Sequence, residues 1–291
     1  MKTLYIGVQK GGVGKSTNAC QLALYARNLG YRVLVIDFDD QGNTTKFFKR
    51  NGEAVPLAKT VTEIIFETTD IIDINVGVSG FNILEADGQF NNILVEQARV
   101  KVQHEGELTE KSSIAHQHFA NFLASVDAHY DLCIIDGPPS LDIRVTIALT
   151  LADAVLSPIQ LSQESIEGMS ATLYGQRGVL NIKTVFNAKL NFLGFLPNMV
   201  EATDKHREAL TELSERIGEH FLTDNEGRIL LMPLRQSIRE SQKEGIPIAQ
   251  LAKTNTMART TWASVRKIFD IVLARLQLEV DVESTNAETI A

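Results

Sequence analysis

The chain has 291 residues, 44% of them hydrophobic and 22% charged, an ordinary globular composition that excludes disorder of the whole chain and suffices for a large core. Its formal charge of −8 gives no global reason to bind DNA or anionic lipid, so any such binding requires a local basic patch. Cys20 and Cys133 are the only cysteines and form no CxxC or Cys/His cluster, which argues against structural zinc and iron–sulfur ligation.

From the N-terminus, residues 3–9 (TLYIGVQ) and 31–37 (YRVLVID) read as strands around a helix over 15–29, where Leu22, Ala26 and Leu29 recur at helical spacing. The first strand lacks the features of a signal peptide, and no run of about 18 apolar residues occurs, so a cytoplasmic protein with reduced thiols is expected. Polar residues 51–60 and 103–111 read as surface loops. Further strands are predicted at 81–85, 131–136, 154–159, 190–196 and 229–231, with helices near 90–102, 112–128, 142–152, 164–183 and 204–221. This alternation predicts an α/β fold: a mainly parallel twisted sheet covered by helices on both faces. A single domain over 1–280 is expected, followed by a disordered acidic tail at 281–291. The last helix, WASVRKIFDIVLARLQL, is amphipathic, with Trp262, Val265, Ile268, Phe269, Val272 and Leu276 on one stripe that reads as core packing.

Chemistry is concentrated where strands end. After the first strand, Lys10, Gly11, Gly12, Val13, Gly14, Lys15, Ser16 and Thr17 form a glycine-rich turn before a helix. There the glycines let backbone N–H groups surround a phosphate. Lys15 is the candidate contact to the β- and γ-phosphates, the Ser16 hydroxyl a candidate magnesium ligand, and Thr17 a further phosphate contact. YDLCIID ends on Asp136, a carboxylate delivered beside a metal by an apolar strand. In Asp37-Phe38-Asp39-Asp40-Gln41-Gly42-Asn43, alternation places Asp37 and Asp39 on the same side.

The extra lysine, Lys10, makes KGGVGKST resemble the deviant Walker motif of the ParA/MinD family of P-loop ATPases. Similar motifs are IDFDDQGN, IIDGPPSL, PIQ…SIEGMS at 158–170 and MPLRQSIRESQKEGIPI at 232–248, so the likeness spans residues 1 to about 252. The resemblance implies ATP and Mg2+ as cofactors and a homodimer sandwiching two nucleotides, with Lys10 reaching the partner's phosphates. It assigns Asp39 to positioning the attacking water and Asp37 and Asp136 to acting through water on magnesium. Asn198, Met232 and Pro233 fall where the family holds adenine. One departure is Asp40, where relatives commonly carry proline; it adds a carboxylate and is expected to loosen the turn.

Between Arg228 and Arg275 the chain carries nine basic residues against three acidic ones. Arg235, Arg239, Lys243, Arg266 and Lys267 are the candidates for sequence-independent DNA binding, as the resemblance implies for the C-terminal region, although a solvated helix face is the alternative. No helix-turn-helix segment precedes the P-loop, so the chain resembles the short partition ATPases. A ParB-like centromere-binding protein is then the expected stimulating partner, the nucleoid the expected site in the ATP state, and a membrane is not expected. The alternative is MinD-like or other cargo positioning at a membrane or on a protein cargo.

Overall fold

A computed structural model describes residues 1–7, 10–66, 80–92, 107–140, 142–162, 165–175 and 177–278. In chain order the strands are β1 (Lys2–Ile6), β2 (Val33–Asp37), β3 (Val55–Thr60), β4 (Phe81–Glu85), β5 (Leu132–Asp136), β6 (Ala154–Ile159) and β7 (Asn191–Pro197). The helices are α1 (Lys15–Asn28), α2 (Asn43–Asn51), α3 (Val61–Phe66), α4 (Glu107–Val126), α5 (Ile143–Leu151), α6 (Ser165–Tyr174), α7 (Val179–Val185), α8 (Asp204–Ile217), α9 (Gln236–Glu244), α10 (Ile248–Thr254) and α11 (Thr256–Arg275). The seven strands form one sheet in the order β3-β4-β2-β5-β1-β6-β7, with every neighbouring pair parallel.

A parallel sheet needs both faces covered, and the strand sequences provide for it. Every residue of β2 and β5 is buried. Leu4, Ile6, Val33, Val35, Leu132 and Ile134 face one core with α1, α2 and α11, whereas Tyr5, Leu34, Ile36, Cys133 and Ile135 face a second with α3, α4, α5 and α7. A smaller cluster around Val13, Ile159, Met169, Phe195, Leu213 and Phe221 closes the space beneath α6 and α8. After β1 the chain builds β2, β3 and β4 on one side of the sheet and later adds β6 and β7 on the other. The crevice outside the carboxyl end of β1 is therefore a topological switch point, where open α/β sheets bind ligands.

Several boundaries differ from the sequence reading. Residues 55–60 are not loop but edge strand β3, which hides only Leu57 well and carries Pro56, a residue that a sheet edge tolerates. Residues 229–231 make only an isolated antiparallel bridge, Thr223 to Ile229. The helix expected over 164–183 is two, α6 and α7; Gly178 sits against the Leu173 carbonyl in the break. Helix α4 starts at Glu107, inside the expected loop 103–111. Most of the helix near 90–102, with residues 8–9, 103–106 and 281–291, lies outside the described residues.

The α11 stripe is core. Val265, Phe269 and Val272 have no exposed surface and Phe269 stacks 6.1 Å from Tyr25 of α1. Replacing Phe269 with Ala should therefore destabilise the fold by about 3–5 kcal/mol. Urea denaturation followed by circular dichroism checks this; a loss below about 1 kcal/mol would mean that the stripe is not packed.

Candidate nucleotide site

Four chain segments converge at the carboxyl ends of β1, β2 and β5. Gly12 and Gly14 adopt left-handed backbone with φ of 73° and 87°, conformations that L side chains rarely accept. At Gly14 a Cβ would also collide with the Asn198 amide. Asn198 is 5% exposed and donates from Nδ2 to the Val13 carbonyl at 2.7 Å. The Lys15 ammonium is likewise buried and donates to the Lys10 carbonyl at 2.8 Å. Burial lowers its pKa while Asp136 and Asp39 act to raise it. Lys15 thus forms the floor of the turn, and the helix dipole of α1 adds partial positive charge at the same point.

Asp37 and Asp136 are register partners on adjacent strands, and both are completely buried. Burial and the neighbouring Asp136 charge raise the pKa of Asp37, against hydrogen bonds from Thr45 and Asp39. Burial also raises that of Asp136, opposed by Ser16, Thr44 and Lys15. Helix α2 supplies part of the compensation. Thr45 donates to Asp37 from its N–H and its hydroxyl, both at 2.8 Å, and the Thr44 hydroxyl donates to Asp136 Oδ2 at 2.7 Å. These two threonines were not singled out in the sequence, since their signal is only adjacency to the carboxylate motif.

Asp136 Oδ1 is buried and has no hydrogen-bond partner. A buried carboxylate oxygen left unsatisfied is costly. A hard cation near Ser16, Asp37 and Asp136 would relieve it, and this oxygen-only donor set suits magnesium. Among the described residues no group of three or more His, Cys, Asp or Glu could hold a metal alone. Phosphate oxygens and water would have to complete the shell.

Beside the turn lies a cavity of about 410 Å³, lined by Gly14, Thr17, Asn198, Met232 and Pro233 together with the apolar side chains of Val265 and Phe269. It is large enough for a nucleoside. Its wall is anchored to α1 by Gln21, which donates to Ser241 Oγ at 2.8 Å and accepts from the Ile248 N–H at 2.9 Å.

An AAA domain family profile matches residues 1–192. Protein IncC of Escherichia coli is 31% identical over 282 residues, covering 96% of this chain and 71% of that protein. The chromosome-partitioning ATPase Soj of Thermus thermophilus is 28% identical, covering 95% and 97%. Among solved structures, McdA of Cyanothece in complex with ATP superposes with a TM-score of 0.71 at 20% identity, covering 94% and 96%, a likeness of fold. The chain belongs to the ParA/MinD-type P-loop ATPases.

Within this ParA/MinD-type chain the loop after β2 departs from expectation. Asp39 is 9% exposed, and its Oδ1 accepts the Gln41 N–H at 3.0 Å. Asp40 does not add a free carboxylate to the phosphate site. It pairs with buried Arg144 at 3.1 Å and accepts the Asn91 N–H at 2.8 Å. The basic candidates separate as well. Arg235, Arg239 and Lys243 line the cavity with exposed heads. On α11, Lys267 is bound to buried Asp224 at 2.8 Å, and Arg266 lies 3.7 Å from Asp270. Part of the local positive balance is thus internal.

Replacing Lys15 with Ala removes the buried positive charge of the turn. Affinity for Mg-ATP should fall by about 2–5 kcal/mol, at least some thirtyfold. Titration with a fluorescent ATP analogue measures it, and wild-type affinity would place the phosphates elsewhere.

Proposed function

We propose that the chain is a magnesium-dependent partition ATPase that forms an ATP-sandwich homodimer, holds DNA non-specifically in that state, and is reset when a ParB-like partner stimulates hydrolysis. The observation that carries this reading is the position of α9. Its Arg239 and Lys243 line the nucleotide cavity and present exposed charges outside it, so that nucleotide and basic surface meet on one helix. The partition role is supported by the Soj relative, named a chromosome-partitioning ATPase. A cytoplasmic protein that joins the nucleoid in the ATP state follows from the same reading.

Phosphoryl transfer needs positioning and charge neutralisation more than covalent chemistry. Lys15 and the backbone N–H groups of the turn bind the phosphates in cis, and Lys10 reaches the partner subunit's nucleotide. Ser16 would ligate a magnesium ion, with Asp37 and Asp136 acting on it through water, and the ion would neutralise phosphate charge. Asp39 orients the attacking water with its second carboxylate oxygen, while Oδ1 accepts the Gln41 N–H. Asn198, Met232 and Pro233 take the base. MinD-like positioning at a membrane is less favoured, because the apolar stripe of α11 is spent inside the core.

Charge reversal at Arg239 and Lys243 should abolish retention on non-specific DNA in ATP at about 0.15 M salt, because binding to phosphates is driven by counterion release. ATP affinity is measured alongside, because both residues also line the nucleotide cavity, and DNA retention is compared at saturating ATP. Co-sedimentation with plasmid DNA over a salt series checks this, and unchanged, salt-insensitive retention refutes the surface.

Lys10→Ala should leave ATP binding largely intact while preventing ATP-dependent dimerisation, because only the γ-phosphate offers enough charge across the interface to draw together two subunits of −8. Light scattering in an Asp39→Ala background, where turnover does not deplete ATP, is the measurement. Persistence of the dimer would show that Lys10 is not the trans contact.

A further inference from the structure

Arg144, at the start of α5, has a side chain only 2% exposed. All five of its N–H donors are engaged. Nε donates to Asp142 at 3.0 Å; Nη1 donates to the Phe38 carbonyl at 2.8 Å and to Asp40 Oδ1 at 3.1 Å; Nη2 donates to Asp142 Oδ2 at 2.5 Å and to Asn91 Oδ1 at 3.3 Å. The guanidinium lies over the Phe90 ring, 4.3 Å from its centre. One side chain therefore joins three segments far apart in sequence: the loop after β2, the residues following β4, and the turn entering α5.

The two grips on the first segment fall on either side of Asp39. Arg144 holds the peptide oxygen of Phe38, the residue before it, and the carboxylate of Asp40, the residue after it. The Asp39 carboxylate itself is left outside the grip, and its N–H donates to Asp37 Oδ1 at 3.2 Å. Such an arrangement fixes the loop's flanks on both sides of the central side chain, whose Oδ1 accepts the Gln41 N–H at 3.0 Å. Asn91 reinforces it by donating its N–H to Asp40 Oδ2 at 2.8 Å, so that Asp40 is held from two directions.

We propose that Arg144 is a positioning residue for ATP hydrolysis, clamping the loop through Phe38 and Asp40 so that Asp39 is presented to the phosphate site. It acts through the loop, by its contacts to Phe38 and Asp40. The inference rests on the reading of Asp39 as the residue that orients the attacking water. A displacement of about 1 Å at such a group can cost up to a hundredfold in rate. Lysine cannot replace this arginine, because a point charge lacks the planar fork that reaches four partners at once.

The test uses Arg144→Gln, Asp40→Asn and the double variant of the full chain, with three readouts: steady-state release of phosphate from Mg-ATP, thermal unfolding, and hydrogen exchange resolved to the peptide covering 38–42. Each single variant should lower kcat by about tenfold or more and leave KM within about twofold. Exchange at 38–42 should accelerate at least about tenfold, while exchange over 10–17 is unchanged. The double variant should lose no more than the worse single one, because both remove the same clamp. Should Arg144→Gln fail to fold, Asp40→Asn carries the test, since it leaves Arg144 its contacts to Phe38 and Asp142. An unchanged kcat despite faster loop exchange overturns the proposal, as do losses that multiply in the double variant. Asp39→Ala is measured alongside. Wild-type turnover in that variant would overturn the reading of Asp39, whereas the exchange rates at 38–42 report on the clamp in either case.

Discussion

Two carboxylates side by side in a dry sheet are the constraint around which this molecule is arranged. Asp37 and Asp136 end adjacent strands in register, and neither has any exposed surface. Two unshielded anions so placed would be strongly unfavourable. The fold answers with donors from different elements, Thr44 and Thr45 from α2 and the Ser16 hydroxyl after β1, and with the nearby positive charge of Lys15. One oxygen of Asp136 remains unsatisfied. The cost is consistent with a site kept ready for a cation rather than optimised for stability.

Because α2 starts on these carboxylates, its position is tied to the chemistry at its N-terminus, and its other end reaches the basic helix. Arg50 donates to the Gln242 carbonyl at 3.0 Å, and the Asn51 amide donates to the Gly245 carbonyl at 3.0 Å. Gln21 ties the same α9 region to the P-loop helix. A rearrangement at α2 or at α1 would thus reach α9 through these hydrogen bonds, of which those of Gln21 are buried. Rigid elements with discrete contacts are the physical means by which such coupling travels.

The phosphate turn was legible in the sequence because its chemistry is local: a strand, three glycines, two lysines and a helix within a short span. Asp37 and Asp136 were legible because apolar runs deliver them. Edge strand β3 was not, since an edge needs little apolar alternation, and Val55 is exposed. Arg144 was also not legible. The motif IIDGPPSL stops just short of it, and its partners at Phe38 and Asp40 are more than one hundred residues away. A lone arginine entering a helix carries no signal of burial until the fold surrounds it with two carboxylates and an aromatic ring.

Asp40 illustrates how a local departure is interpreted only by tertiary contacts. Taken by itself, an aspartate in place of a ring-constrained residue frees φ and adds negative charge next to a site that must bind polyphosphate. In the fold that charge is turned away, neutralised by Arg144 and capped by the Asn91 N–H. Asp142, with its pKa lowered against burial by Arg144, completes a cluster of one cation and two anions. The restraint on the loop thus comes from a buried ion pair instead of a ring. An ion pair, unlike a ring, can be broken by a partner that contributes a competing charge.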